Sequence, residues 1–234
     1  DGHTASIFPQ APQFTDAVSP DYPQPLLHTT PVTAQNERIS MTLAAISPYL
    51  GEEPLVALDL CAAPGGKSTL LRDLLPAGST LVSNEYVRSR VHILTENLQK
   101  WGSPYSIVTS TDAASLGRMR SSYDLILVDA PCSGEGMMRK DEEARRQWSP
   151  QLVSQCAALQ RSILEDIWPA IAPGGLLVYS TCTLHRQADE AQVAYLVEEL
   201  GAEPLGLQAL EPFVAPSALS PYPCYRMMPH RTRG

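Results

Sequence analysis

The chain alternates short apolar runs with helical stripes, and nearly every run stops at a polar or reactive group. Residues 55–60 (Leu-Val-Ala-Leu-Asp-Leu) form an apolar run that ends at a Pro-Gly-Gly turn, the pattern of a strand buried on both faces. Residues 66–75 follow with Leu70, Leu71, Leu74 and Leu75 at helical spacing. Residues 80–84 predict a second strand. Residues 86–101 carry Val87, Val91, Leu94, Leu98 and Trp101 in steps of four and three, the stripe of a helix lying on a sheet. Residues 105–109, 124–128 and 175–179 predict three more strands. Ser149 before Pro150 is a cap residue with proline in the first turn. It starts a helix whose expected apolar face is Leu152, Cys156, Leu159, Ile163 and Ile167. A last helix is expected over 187–200, with Val193, Leu196, Val197 and Leu200 inward. Strands alternating with helices of this length predict an α/β fold with a mostly parallel, doubly wound sheet.

Such sheets bind ligands outside the carboxyl ends of their strands, so the residues found there carry the functional reading. After the first strand comes Cys61-Ala62-Ala63-Pro64-Gly65-Gly66-Lys67. After the second and third come Glu85 and Asp112. After the fourth comes Asp129-Ala-Pro-Cys132-Ser-Gly-Glu-Gly, and after the fifth Ser180-Thr-Cys182-Thr. Two glycines opening a helix let backbone approach a ligand at the helix N-terminus. An acidic residue about 20 positions further on meets ribose hydroxyls in nucleotide-binding folds, and Glu85 stands at that spacing. Asp112 is placed to hold a base edge. Together these ends predict a nucleoside site. Gly66-Lys67-Ser68 also resembles the end of a phosphate-binding loop, with Asp129 as its magnesium ligand. That pattern needs Gly where Cys61 stands, and Pro64 removes one N–H from the cradle, so an NTPase is the weaker reading.

The five cysteines are Cys61, Cys132, Cys156, Cys182 and Cys224, an odd number in a chain of 234 residues. A disulfide-stapled secreted fold is not expected at that size and count, and free thiols in a reducing compartment, the cytoplasm, are. No Cys-x-x-Cys redox motif is present. Cys156 belongs to a helix face and Cys61 to the ligand loop. Cys132 and Cys182 differ, because both follow strand ends that this topology makes neighbours. Two thiols meeting beside a nucleoside site are hard to explain by packing alone. The formal charge of −8 argues against a uniformly basic nucleic-acid surface but leaves room for local patches. Arg139, Lys140, Arg145 and Arg146 make one such patch, and Arg226, His230, Arg231 and Arg233 another. No run of 18 apolar residues occurs, so no membrane span is expected.

The segments around Cys61–Lys67, Asp129–Gly136 and Ser180–Thr183 resemble the signature segments of the Sun-family RNA (cytosine-5) methyltransferases. The stretch Gly134 to Pro150 is most similar to the bacterial ribosomal-RNA branch, and the likeness covers roughly residues 41–200. The resemblance implies a Rossmann-like domain using S-adenosylmethionine. It places the donor on Cys61, Ala62, Ala63, Pro64, Gly65, Gly66 and Lys67, with Glu85 at the ribose, Asp112 at the adenine and Asp129 near donor and target base. It makes Cys182 the nucleophile and Cys132 the cysteine that helps release product. It implies RNA as partner, ribosomal RNA or the small ribosomal subunit first. Arg139, Lys140, Arg145 and Arg146, which follow the fourth-strand motif, are expected at phosphates, and no resident metal and a monomer are expected. Transfer RNA as substrate, or a catalytically silent assembly factor, are the alternatives. Residues 1–40 are expected to be a Pro-rich arm or the remnant of an upstream domain. Residues 41–234 are expected to be the catalytic domain, truncated at its C-terminal edge, because in the family an apolar strand follows the point where Gly234 stands.

Overall fold

The computed structural model describes residues 3–8, 41–138, 142–210, 214 and 216–227. Of the sequence expectations, those on residues 9–40, Arg139, Lys140, His230, Arg231 and Arg233 lie outside the described residues. The strands are β1 (His3–Phe8), β2 (Val56–Asp59), β3 (Thr80–Asn84), β4 (Ser106–Thr109), β5 (Tyr123–Asp129), β6 (Ile171–Thr181) and β7 (Tyr225–Met227). The helices are α1 (residues 41–46), α2 (Gly66–Leu74), α3 (Arg88–Trp101), α4 (Ala113–Gly117), α5 (Glu142–Gln147), α6 (Pro150–Ile167) and α7 (Glu190–Glu198).

All seven strands join one sheet in the order β4-β3-β2-β5-β6-β1-β7. The five expected strands, β2 to β6, pair in parallel. Strand side chains alternate between the two faces, and both faces are buried. Ala57, Leu125 and Leu127 enter a core with Leu43 and Ile46 of α1 and Leu71 of α2. Leu58, Ile126 and Val128 enter the opposite core with Leu164 and Ile167 of α6 and Val193 and Leu196 of α7. This explains why those strands are almost continuously apolar. The chain reverses at the middle of the order, between β2 and β5, and the strand ends there frame the crevice used by ligands in doubly wound sheets.

Several elements differ from the sequence reading. Residues 3–8, expected in an extended arm, form β1, inserted antiparallel between β6 and β7. Thr4 pairs with Thr181 on one side and with Arg226 on the other. Periodicity cannot reveal such a strand, because its partners lie at the far end of the chain. The buried face of α6 is Val153, Gln160, Leu164 and Ile167, rotated from the expected stripe, and Leu159 is 49% exposed. Gln160 displaces an apolar residue there because its side-chain amide donates to the carbonyl of Pro131 at 2.8 Å. Val87 precedes α3 and is exposed. The short α4 packs so closely on α6 that a Cβ on Gly117 would lie 1.9 Å from the carbonyl oxygen of Asp166.

Candidate active site

The loop after β2 is shaped by its own backbone and braced from α3. Gly65 caps α2 with φ of 110°, a region L side chains rarely adopt, and a Cβ there would meet Leu94 at 3.2 Å. The Ala63–Pro64 peptide is cis. Arg90 donates to the carbonyl of Ala63 at 2.7 Å and Asn97 to that of Pro64 at 2.7 Å. Ala62 and Ala63 are buried against Leu94 and Leu98, so their small size is a packing requirement. The thiol of Cys61 is pushed up by burial and by the nearby carboxylates of Asp59 and Asp129, which makes it a poor nucleophile.

Glu85 ends buried, with Oε1 accepting from the N–H of Val87 at 2.8 Å. Its Oε2 has no hydrogen-bond donor among the described residues, although the Arg90 guanidinium lies 3.4 Å away. Asp59, at the end of β2, accepts from the Ser68 hydroxyl at 2.6 Å and leaves Oδ1 without a donor. Burial lifts its carboxyl to about 6. Two orphaned buried acceptors beside a glycine-opened helix suit a ligand carrying hydroxyl or ammonium donors. Asp112 is exposed and caps α4, accepting from the N–H of Ser115 at 2.6 Å, which holds its carboxyl below the usual range. Asn84 knots the strand ends together: it donates to the carbonyls of Leu60 and Thr111 and accepts from Thr109 and the Thr111 N–H.

At the centre, the Lys67 ammonium meets Asp129 Oδ2 at 2.8 Å, and Asp129 Oδ1 accepts from the Ser180 hydroxyl at 2.7 Å. Both charged side chains are largely buried. Burial alone would lower the Lys67 ammonium, but the Asp129 charge outweighs it and holds the lysine above its ordinary value. Beside this pair, Cys132 Sγ and Cys182 Sγ stand 2.7 Å apart. Either sulfur can be the donor in this contact. The contact lowers the Cys132 thiol and raises the Cys182 thiol, and burial raises Cys182 further, while the charge of Lys67 acts in the opposite sense on Cys182. The geometry thus gathers Cys61–Lys67, Glu85, Asp129, Cys132 and Cys182 at the carboxyl ends of β2, β3, β5 and β6. Arg145 and Arg146 lie exposed on α5, and Arg146 has Glu142 at 3.7 Å and Glu143 at 3.9 Å. Arg226, expected in a basic patch, is instead spent internally: it forms two 2.7 Å bonds to Glu190 and lies 3.2 Å from Asp189. No group of three or more metal-ligating side chains occurs among the described residues.

The sequence reading missed Asp59, Asn84, Arg90 and Glu135. Glu135 stands three residues after Cys132, as His185 stands three after Cys182, and that matched offset was the available signal.

Residues 46–233 match the family model described as 16S rRNA methyltransferase RsmB/F. The chain belongs to this family. Among curated RsmB/F relatives, the ribosomal RNA small subunit methyltransferase F of Aeromonas hydrophila is 45% identical over 146 residues, 62% of this chain and 31% of that protein. The enzyme of the same name from Cronobacter sakazakii is 41% identical over 165 residues, 69% of this chain and 34% of that protein. The chain therefore spans about a third of the length of the curated relatives it matches. Among solved structures, NSun6 from Pyrococcus horikoshii with SFG superposes with a TM-score of 0.70 at 26% identity, covering 82% of this chain and 48% of that one. PH0851 superposes with a TM-score of 0.66 at 24% identity over 80% of this chain and 44% of that one, a likeness of fold. Membership of the RsmB/F family accords with the Sun-family resemblance of the cysteine segments, and the parallel sheet with the expected Rossmann-like fold.

Proposed function

We propose that this chain is the catalytic part of an enzyme that transfers a methyl group from S-adenosylmethionine to carbon 5 of a cytosine in ribosomal RNA of the small subunit. The observation that carries this reading is the contact of Cys132 with Cys182 beside the Lys67–Asp129 pair. When bound, S-adenosylmethionine supplies an electrophilic methyl group. The residues present fit it: the Gly65–Gly66 helix start and the orphaned oxygens of Glu85 and Asp59 offer backbone donors and unpaired acceptors. Asp112 would hold the adenine edge of the donor.

Carbon 5 of cytosine is a poor nucleophile until a thiolate adds to carbon 6. The sulfur of Cys182 bonds to carbon 6 as its proton is lost to solvent, which leaves the added electron pair on the ring. Lys67 favours negative charge on Cys182 during this transfer. Asp129, ion-paired to Lys67, acts as a carboxylate acceptor for the cytosine amino group rather than as a protonated donor. The Lys67 ammonium is the group that stabilises added electron density at ring N3. Once carbon 5 is methylated, Cys132 as thiolate takes the carbon 5 proton, the carbon 6–sulfur bond breaks, and the proton passes from Cys132 to the departing Cys182 sulfur. The target base leaves its stack to reach these residues. Arg139, Lys140, Arg145 and Arg146 contact phosphates beside the site. The protein acts as a monomer in the cytoplasm, where its substrate is.

Incubation with labelled methyl donor and small-subunit RNA, followed by nucleoside mass spectrometry, tests the reading. Label in 5-methylcytidine with the wild type and none with Cys182→Ala is the expected result. Label in another nucleoside, or undiminished transfer by Cys182→Ala, contradicts it.

A further inference from the structure

The ladder between β5 and β6 does not stop where the strands stop. Asp129 pairs with Ser180 at the last strand register, and three side-chain contacts continue outward between the two loops. Cys132 meets Cys182 at 2.7 Å, the Ser133 hydroxyl lies 3.4 Å from that of Thr183, and Glu135 Oε1 lies 3.3 Å from His185 Nε2. A backbone bond from the Gly136 N–H to the Cys182 carbonyl, at 2.7 Å, runs in the same direction.

Glu135 is the hub of this extension. Its carboxylate accepts from both sides: from the Ser133 hydroxyl at 2.8 and 2.9 Å, and from the Trp148 indole N–H at 2.6 Å. The side chain is 8% exposed. Burial alone would raise its carboxyl, but the hydrogen bonds from Thr183, Ser133 and Trp148 outweigh it and keep the group ionised below its ordinary range. His185 stacks on the Trp148 ring with centroids 5.8 Å apart. The carboxylate thus ties the Cys132 loop, the Cys182 loop and the segment entering α6 to one point. None of these groups takes part in the thiol chemistry itself.

We propose that Glu135 is a positioning residue that holds the Cys132 and Cys182 sulfurs in contact by cross-linking their two loops. Its functional meaning rests on the methyltransferase reading above, since the contact is what lets one thiol hand its proton to the other. Without the carboxylate, Thr183 and His185 lose their partner across the gap and the loops separate on the side away from the sheet.

A trivalent arsenical reads the sulfur–sulfur distance without RNA or methyl donor. Phenylarsine oxide forms two arsenic–sulfur bonds with a close pair of thiols, and its oxygen leaves as water with both thiol protons. In the wild type, peptide mapping is expected to find Cys132 and Cys182 bridged on one arsenic. Glu135→Ala is expected to slow bridging about tenfold, with Glu135→Gln, which keeps an acceptor for Trp148 and Ser133, in between. Bridging by Glu135→Ala at the wild-type rate, with cooperative unfolding retained, overturns the proposal. Should that variant fail to fold, Thr183→Val removes the Thr183 arm of the cross-link from the other loop with little change of shape. A wild-type bridging rate in Thr183→Val overturns the proposal equally. In methyl-transfer assays, Glu135→Gln is expected to lower turnover while leaving the half-saturating RNA concentration unchanged. A rise in that concentration with turnover unchanged counts against a positioning role. Failure of the wild type to methylate RNA would remove the enzymatic reading yet leave the bridging result interpretable.

Discussion

Replacing Lys67 by methionine tests the electrostatics at the centre of the site. The side chains of Lys67 and Asp129 are 11% and 14% exposed, so solvent does little to screen the charge left behind. After Lys67→Met, Asp129 keeps the Ser180 hydroxyl bond but faces burial without its 2.8 Å ammonium partner. Breaking a buried pair on one side costs about 3–5 kcal/mol, against about 0–1 for an exposed pair. For a domain of this size that corresponds to a fall of roughly 6–20 °C in the unfolding midpoint. Adding Asp129→Asn to Lys67→Met removes the stranded charge, and the double variant is expected to regain most of the loss. The pair's contribution also has a defined pH window. The folded-state value of Lys67 is raised, so its stabilisation is fully present below the lysine's unfolded value, about 10.4, and fades as pH rises through the higher folded value. Thermal unfolding of the two single variants and the double variant at pH 7.5 gives the cycle directly. A loss within about 1 kcal/mol for Lys67→Met would refute the reasoning, because the pair would then behave as a solvated surface contact.

Two further predictions concern the proposed donor pocket. Asp59 is fully buried with its carboxyl lifted to about 6, so its ionisation destabilises the folded state progressively as pH rises from about 4 through 6. Asp59→Asn is expected to raise the unfolding midpoint at pH 7.5 and leave it nearly unchanged at pH 4, by a difference on the order of 2–3 kcal/mol; equal shifts at both pH values would contradict this. Glu85→Gln preserves an acceptor for the Val87 N–H but removes the carboxylate charge. Calorimetric titration with S-adenosylmethionine is expected to show affinity weakened about 10- to 100-fold, the scale of one charged hydrogen bond, and unchanged affinity would separate Glu85 from the pocket.

The parallel strands were legible because burial on both faces writes them as apolar runs, as in Leu125–Val128, whose alternate residues feed opposite cores. The strand-end residues Cys61–Lys67, Glu85, Asp129, Cys132 and Cys182 followed, since parallel topology sends every strand's carboxyl end to one side. Elements defined by distant partners were not legible. β1 takes its meaning from β6 and β7, and no local pattern in residues 3–8 reports them. The face of α6 was misjudged because a hydrogen-bonded glutamine, Gln160, occupies a core position that a count of apolar residues cannot assign. Arg226 counted toward a local basic patch in sequence, yet Glu190 and Asp189, remote in sequence, claim it. Glu135 was hidden for the same reason: its role depends on the register that sets residue 135 across from residue 185.

The central claim is that Cys182 forms the bond to cytosine and that Cys132 takes the carbon 5 proton whose loss releases it. Peptide mapping of the Cys132→Ala variant after incubation with methyl donor and small-subunit RNA tests this most directly. The account predicts a nuclease-trimmed cytidine adduct on the peptide carrying Cys182, stable to denaturing electrophoresis and absent from Cys182→Ala. An adduct that survives in Cys182→Ala on Cys132, or efficient methylation by either variant with no adduct, would contradict it.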